Sequence, residues 1–87
     1  MNNYIPIACA LHEQYQFAVI KRAWLELDWN DGLGGKRACK VRPKDVYTRD
    51  KAEFLLAEME DGVEVEIRLD RIRKAVWAQT GGSLMPR

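Results

Sequence analysis

Val63, Val65, Ile67 and Leu69 alternate without a break with Glu64, Glu66 and Arg68. A strict period of two fits a strand with one face on a core and the other in water. It does not fit a helix, whose apolar positions recur every three or four residues. One such strand is not stable alone, so the rest of the chain must supply neighbours and a cover. Ala23, Leu25, Leu27 and Trp29 repeat the pattern against Trp24, Glu26 and Asp28, which turns Trp24 away from Leu25. Asn30-Asp31-Gly32 with Gly34-Gly35 makes a turn longer than a tight hairpin, and Lys36 to Val41 returns as a second strand with Ala38 and Cys39 available to the core. Pro43 stops this ladder or places it on an edge. Asp45 to Lys51 reads as a polar connection holding Val46 and Tyr47 as plugs. In the third strand, Glu53 to Glu60, the run Phe54-Leu55-Leu56-Ala57 suits a strand covered on both faces. Glu60-Asp61-Gly62 is a hairpin turn, Asp70-Arg71-Ile72 a short turn, and Arg73 to Trp77 a last strand.

Ahead of these strands the period is different. Tyr4-Ile5-Pro6-Ile7 reads as an extended lead-in. From Ala10 to Lys21 no Gly or Pro intervenes, and Leu11, Tyr15, Ala18 and Val19 fall on one helical stripe. His12, Glu13 and Gln16 form a polar sector, while Phe17 and Ile20 lie off the stripe, as core under a neighbouring strand or as a small apolar patch. The expected architecture is mainly β (α+β), an N-terminal helix followed by a strongly bent antiparallel sheet of five or six strands. Residues 1–78 are expected to form a single domain and residues 79–87 a flexible C-terminal tail. The expected core is Leu25, Leu27, Phe54, Leu56, Val65, Ile67, Leu69 and Ile72, with Leu11, Tyr15 and Ala18 of the helix. A chain of 87 residues holds one small core and has little room for a deep substrate cavity.

The function classes narrow accordingly. No nucleotide-binding glycine motif, nucleophile elbow or metal-ligand spacing is present, and His12 beside Glu13 reads as two polar side chains on a solvated helix face. Cys9 and Cys39 read as reduced thiols, and no metal or cofactor is expected. No apolar run reaches the length of a membrane span and no leader is legible, so a cytoplasmic monomer without catalytic apparatus is expected. The charge is segregated. Lys36 to Arg49 carries six cations against Asp45, net +5, and Asp50 to Asp70 carries eight acids against Lys51 and Arg68, net −6. Neighbouring strands would pair these charges across the sheet, and separated ones would polarise the surface toward a charged partner.

Tyr4-Ile5-Pro6-Ile7-Ala8-Cys9, the strand ending Trp29-Asn30-Asp31-Gly32, Arg49-Asp50-Lys51-Ala52-Glu53-Phe54-Leu55 and Ile67-Arg68-Leu69-Asp70-Arg71-Ile72 together resemble the Rof family over nearly the whole chain, Tyr4 to about Ala75. These are small bacterial proteins that bind and inhibit the transcription termination factor Rho. The resemblance implies an Sm-like, partly open barrel and an antiterminator that docks at or near the primary RNA-binding site of Rho and stops RNA from loading. RNA is then a competitor and not the preferred ligand. Carried over by position, the contacts fall on the helix start, Ala10, Leu11, His12, Glu13 and Gln16, and on Thr48, Arg49, Asp50 and Lys51, with His12, Glu13, Gln16, Arg49, Asp50 and Lys51 as the partner-binding set. The alternative is an Sm-like RNA- or protein-binding module with another partner, its RNA surface on Lys36 to Arg49 with Tyr47 and Trp24.

Overall fold

The computed structural model describes residues 9–30 and 34–84. The lead-in Tyr4–Ile7, part of the Asn30–Gly35 turn and the last three residues lie outside them. The chain runs α1 (Cys9–Lys21), β1 (Leu25–Asn30), β2 (Lys36–Arg49), β3 (Ala52–Met59), β4 (Glu64–Arg68), a 3-10 turn (Leu69–Arg71) and β5 (Ile72–Trp77). All neighbouring strands pair antiparallel in the order β4-β3-β2-β1-β5. The first four strands form a meander, and β5 returns to the free side of β1. The sheet is not closed, so the fold is α+β and mainly β, a helix followed by five antiparallel strands. No described helix is long and apolar enough to cross a membrane.

Alternation reads out directly where it is clean. In β1, Leu25, Leu27 and Trp29 are buried, and Glu26 and Asp28 are exposed. Ile67 of β4 and the following Leu69 are in the core. The third strand differs from its expected face: Leu55 and Ala57 are buried, whereas Phe54 and Leu56 are only half-buried. A continuous apolar run carries no alternation, so its partner decides. Leu55 pairs with Ile67 and Ala57 with Val65, which puts that pair of residues on the core side. Phe54 faces Arg68 and Leu56 faces Glu66 on the outer side. Val65 and Ile72, expected in the core, are half-buried at its margin.

Strand β2 does not end at Pro43. It continues to Arg49, because the ladder to β3 shifts by one residue between Pro43 and Asp45. Lys44 is the extra residue, and this bulge exchanges the two faces: Val41 and Pro43 are buried before it, and Val46 packs on the core after it. The β1 ladder reaches only to Val41, so Pro43 has β3 on one side and no strand on the other, a place where its missing N–H is tolerated.

The helix lays Tyr15 and Ala18 onto the core, with Leu11 packed at its edge. It ends in a paired cap: Arg22 N–H donates to the Val19 carbonyl at 3.2 Å and Ala23 N–H to the Ala18 carbonyl at 3.1 Å, with Arg22 at φ 54°. The segment 79–84, part of the expected tail, is tied back to the sheet. Gly81 at φ 77° allows a turn in which Trp77 N–H donates to the Gly82 carbonyl at 2.8 Å. Leu84 N–H then donates to the Ala75 carbonyl at 2.9 Å, and the Leu84 side chain is 1% exposed in the core. Cys39 is a free thiol, its Sγ 3.8 Å from Met59 Sδ.

Ile67 is 2% exposed, so Ile67→Ala is expected to lower unfolding free energy by about 2–5 kcal/mol in a denaturant titration. Burial holds the Tyr15 phenol well above its ordinary value of 10.0. The unfolded chain therefore ionises first. Stability from this residue is intact below pH 10.0 and falls above it by about 1.4 kcal/mol per pH unit. Tyr15→Phe is expected to remove that part of the alkaline slope, measured by denaturant titrations between about pH 9 and 11.

Candidate partner-binding face

The helix start and the β2–β3 turn lie far apart in sequence but meet in space. Past the bulge, Thr48 pairs with Glu53 on the core side of the sheet, and Glu53 reaches up to α1, its Oε2 2.9 Å from His12 Nε2. Glu53 is not among the expected partner-binding residues. Its position beside Phe54-Leu55 reads as the start of a strand, and only the packing of α1 reveals its partner.

Arg49 and Ala52 form the last pair of the hairpin, leaving Asp50 and Lys51 as a two-residue loop with φ 52° and 64°. Positive φ at both positions is the signature of a type I′ turn, which matches the twist of the flanking strands but is usually occupied by Asn-Gly. Both residues are exposed. Arg49 is directed elsewhere. Its Nη1 and Nη2 donate to Glu66 Oε2 and Oε1 at 3.1 and 2.8 Å, and its guanidinium lies 4.7 Å from the Phe54 ring, which stacks on Tyr47. Of the six expected partner-binding residues, His12 thus meets Glu53, Asp50 and Lys51 are exposed at the tip of the β2–β3 hairpin, Arg49 is engaged on the outer side of the sheet, and Glu13 and Gln16 are exposed on α1.

The outward stripe of the helix extends beyond those two. Glu13, Gln16, Phe17 and Ile20 follow at helical spacing, and Phe17 is 49% and Ile20 77% exposed. The residues that fall off the core stripe in the sequence are therefore an apolar patch bordered by polar groups. Its exposure cannot be read from the helix alone, because no sequence pattern says which side a neighbouring strand covers.

The charge segregation resolves mainly into cross-strand pairing. Arg42 reaches Glu58 at 2.6 Å, Lys44 reaches Glu64 at 2.8 Å and Arg49 holds Glu66, all between the basic β2 and the acidic β3–β4 hairpin. The Glu64 carboxylate accepts the Lys44 hydrogen bond and holds that ammonium above its ordinary range. Half of the six cations between Lys36 and Arg49 are thereby committed to acids, and an RNA surface over this whole segment loses much of its field.

Neither a protein-family model nor a curated protein matches the chain. Among solved structures, proteasome accessory factor B/C (PafBC) of Arthrobacter aurescens is similar, with a TM-score of 0.70 over 92% of this chain at 15% identity. The chain spans 13% of the length of that protein. At this identity the likeness shows the fold alone.

The turn yields a prediction. Two non-glycine residues at positive φ carry strain on the order of 1 kcal/mol each or more. Asp50→Asn combined with Lys51→Gly is expected to raise stability by about 1 kcal/mol, seen as a higher thermal midpoint.

Proposed function

We propose that this chain is a Rof-type binding protein that docks on the transcription termination factor Rho and keeps RNA from its primary site. It acts by occupying a surface and performs no catalysis. The observation that carries a docking role is the outward stripe of α1. Two large apolar side chains, Phe17 and Ile20, stand exposed beside Glu13 and Gln16, and the stripe continues toward the His12–Glu53 contact and the Asp50-Lys51 turn. Exposed apolar residues rimmed by polar groups mark protein interaction sites. Buried aromatic or aliphatic anchors supply most of the affinity, while rim charges set register and approach. The choice of Rho rests on the resemblance of Tyr4–Cys9, Arg49–Leu55 and Ile67–Ile72 to the Rof family. A protein that displaces RNA must offer negative charge to a basic groove, and in this reading exposed Glu13 supplies it.

Glu13 is exposed, so reversing its charge leaves the core untouched. Glu13→Lys is expected to weaken Rho binding at least tenfold, about 1.4 kcal/mol, with an unchanged thermal midpoint. Ile20→Glu is expected to weaken it further by removing an anchor. The measurement is a titration of the cognate Rho by each variant at two salt concentrations, with competition by RNA. If wild-type protein fails to capture Rho, the partner assignment fails. If both variants bind Rho as tightly as wild type at low salt, the stripe is not the interface.

A further inference from the structure

A second feature lies at the other end of the helix. Between the C-terminus of α1, the Ala23–Trp24 link into β1 and the Trp77–Thr80 turn after β5 is an open cleft of about 560 Å³. That volume falls within the range of small-ligand sites. Three aromatic rings line it, Phe17, Trp24 and Trp77, together with three cations, Lys21, Arg22 and Lys40, and no carboxylate. Phe17 stands edge-on to Trp77 with ring centres 6.2 Å apart, and Lys21 Nζ lies 5.1 Å from the Phe17 ring. Lys40 and Arg42 approach Trp24 at 5.9 and 5.6 Å. Arg42 is balanced by Glu58, and the nearest acid in register is exposed Glu26, opposite Lys40 on the β1–β2 ladder. Lys21, Arg22 and Lys40 make no ion pair among the described residues.

Arg22 is the second, independent sign. It occupies the left-handed position of the helix cap, φ 54°, where glycine is the favoured residue. A long cationic side chain there is unfavourable for the fold, and strain that a fold retains tends to gather at working sites. From that position Arg22 lines the cleft beside Lys21.

We propose that this cleft binds a nucleotide, with the base stacked against the half-buried Trp24 and Trp77 that line it and the phosphate held by Lys21, Arg22 and Lys40. Aromatic faces accept any base, and three cations lining a cleft with no carboxylate in its wall, against the single Glu26 opposite Lys40, favour a phosphate over a neutral ligand. The nucleotide is either free or one unit of a single strand, since both present the same base and phosphate. The site shares Phe17 with the outward stripe, but its cations and tryptophans lie outside that stripe, and the inference does not depend on the partner assigned above.

The test uses the full chain and its tryptophan fluorescence. Uridine monophosphate, a single-stranded uridine decamer, inorganic phosphate and polyglutamate are titrated at several salt concentrations. The expected result is quenching by the decamer or by the mononucleotide, with polyglutamate and phosphate much weaker. Comparable affinity for both nucleotide probes assigns the free nucleotide, and preference for the decamer assigns the strand. Lys40→Ala and Arg22→Gly are each expected to weaken binding at least fivefold. For the decamer they are also expected to flatten the salt dependence, by about 0.7 in log–log slope for each phosphate no longer neutralised. Arg22→Gly is also expected to keep or raise the thermal midpoint, which separates weaker binding from a damaged fold. The proposal is overturned if neither nucleotide probe binds, if Arg22→Gly and Lys40→Ala bind as wild type, or if polyglutamate binds equally well, which would make the cleft an acidic-peptide site.

Discussion

The architecture depends on one extra residue in β2. The strand is bonded to β1 from Lys36 to Val41 and to β3 from Val41 to Arg49, so it has already passed from one partner to the other when it reaches the bulge at Lys44. The same residue exchanges the faces of the strand. Without it, Val46 would turn outward and Tyr47 would face the core, opposite to their observed places. The bend lets a single sheet wrap the cluster around Leu25, Val41, Leu55 and Ile67 and leaves room for Tyr15 and Ala18 to cover it from one side. It also brings the distal half of the β2–β3 hairpin under the helix start, where His12 meets Glu53. The His12–Glu53 contact and the position of the core thus have one cause.

Charge follows from the same pairing. Since β2 lies beside β3 and β3 beside β4, a basic strand and an acidic hairpin become a lattice of short ion pairs on the outer side of the sheet. Exposed pairs of this kind contribute little to stability. Their larger effect is to cancel the field of Lys36–Arg49 at the hairpin end and leave uncompensated cations near the C-terminus of α1. The two ends of the helix therefore carry different chemistry: acid and apolar groups along the outward stripe, cations and aromatic rings at the cleft.

Much of this is legible in the order of residues. The alternation of β1, the Glu60-Asp61-Gly62 turn and the core residues of the α1 stripe each have a local cause and lie where that cause places them, while in β4 the alternation holds at Ile67 and the following Leu69 and fails at Val63, which precedes the strand and is exposed. Gly62 has φ 88° and its N–H donates to the Met59 carbonyl at 2.9 Å, as a hairpin of that length requires. The departures share a different origin. The face of β3 is ambiguous because Phe54-Leu55-Leu56-Ala57 has no period, and only the partner Ile67 settles it. The second half of β2 looks like a loop because a bulge interrupts its alternation. The return of Leu84 to the core depends on a turn whose glycines read equally well as a loose tail. At the site, Glu13 and Gln16 are legible as a polar sector, but Glu53 and the exposure of Phe17 and Ile20 follow from packing between distant elements. Arg22 carries no signal at all, since a cap normally announces itself by glycine.

The return of β5 to β1 has a consequence for how the protein folds. Every other ladder joins strands that are consecutive in sequence, so those hairpins close short loops and can form early. The β1–β5 ladder closes a loop spanning three intervening strands, with Leu25 opposite Trp77. It is the pairing of highest contact order, and it is the natural last step. Until it forms, β1 presents an unpaired edge carrying Leu25 and Leu27, the most exposed template for association with another chain at any point on the pathway. The segment that follows, ending at Leu84, then seals that late ladder. Assembly rate and resistance to aggregation are accordingly set by the strand that arrives last, more than by the strand with the cleanest pattern.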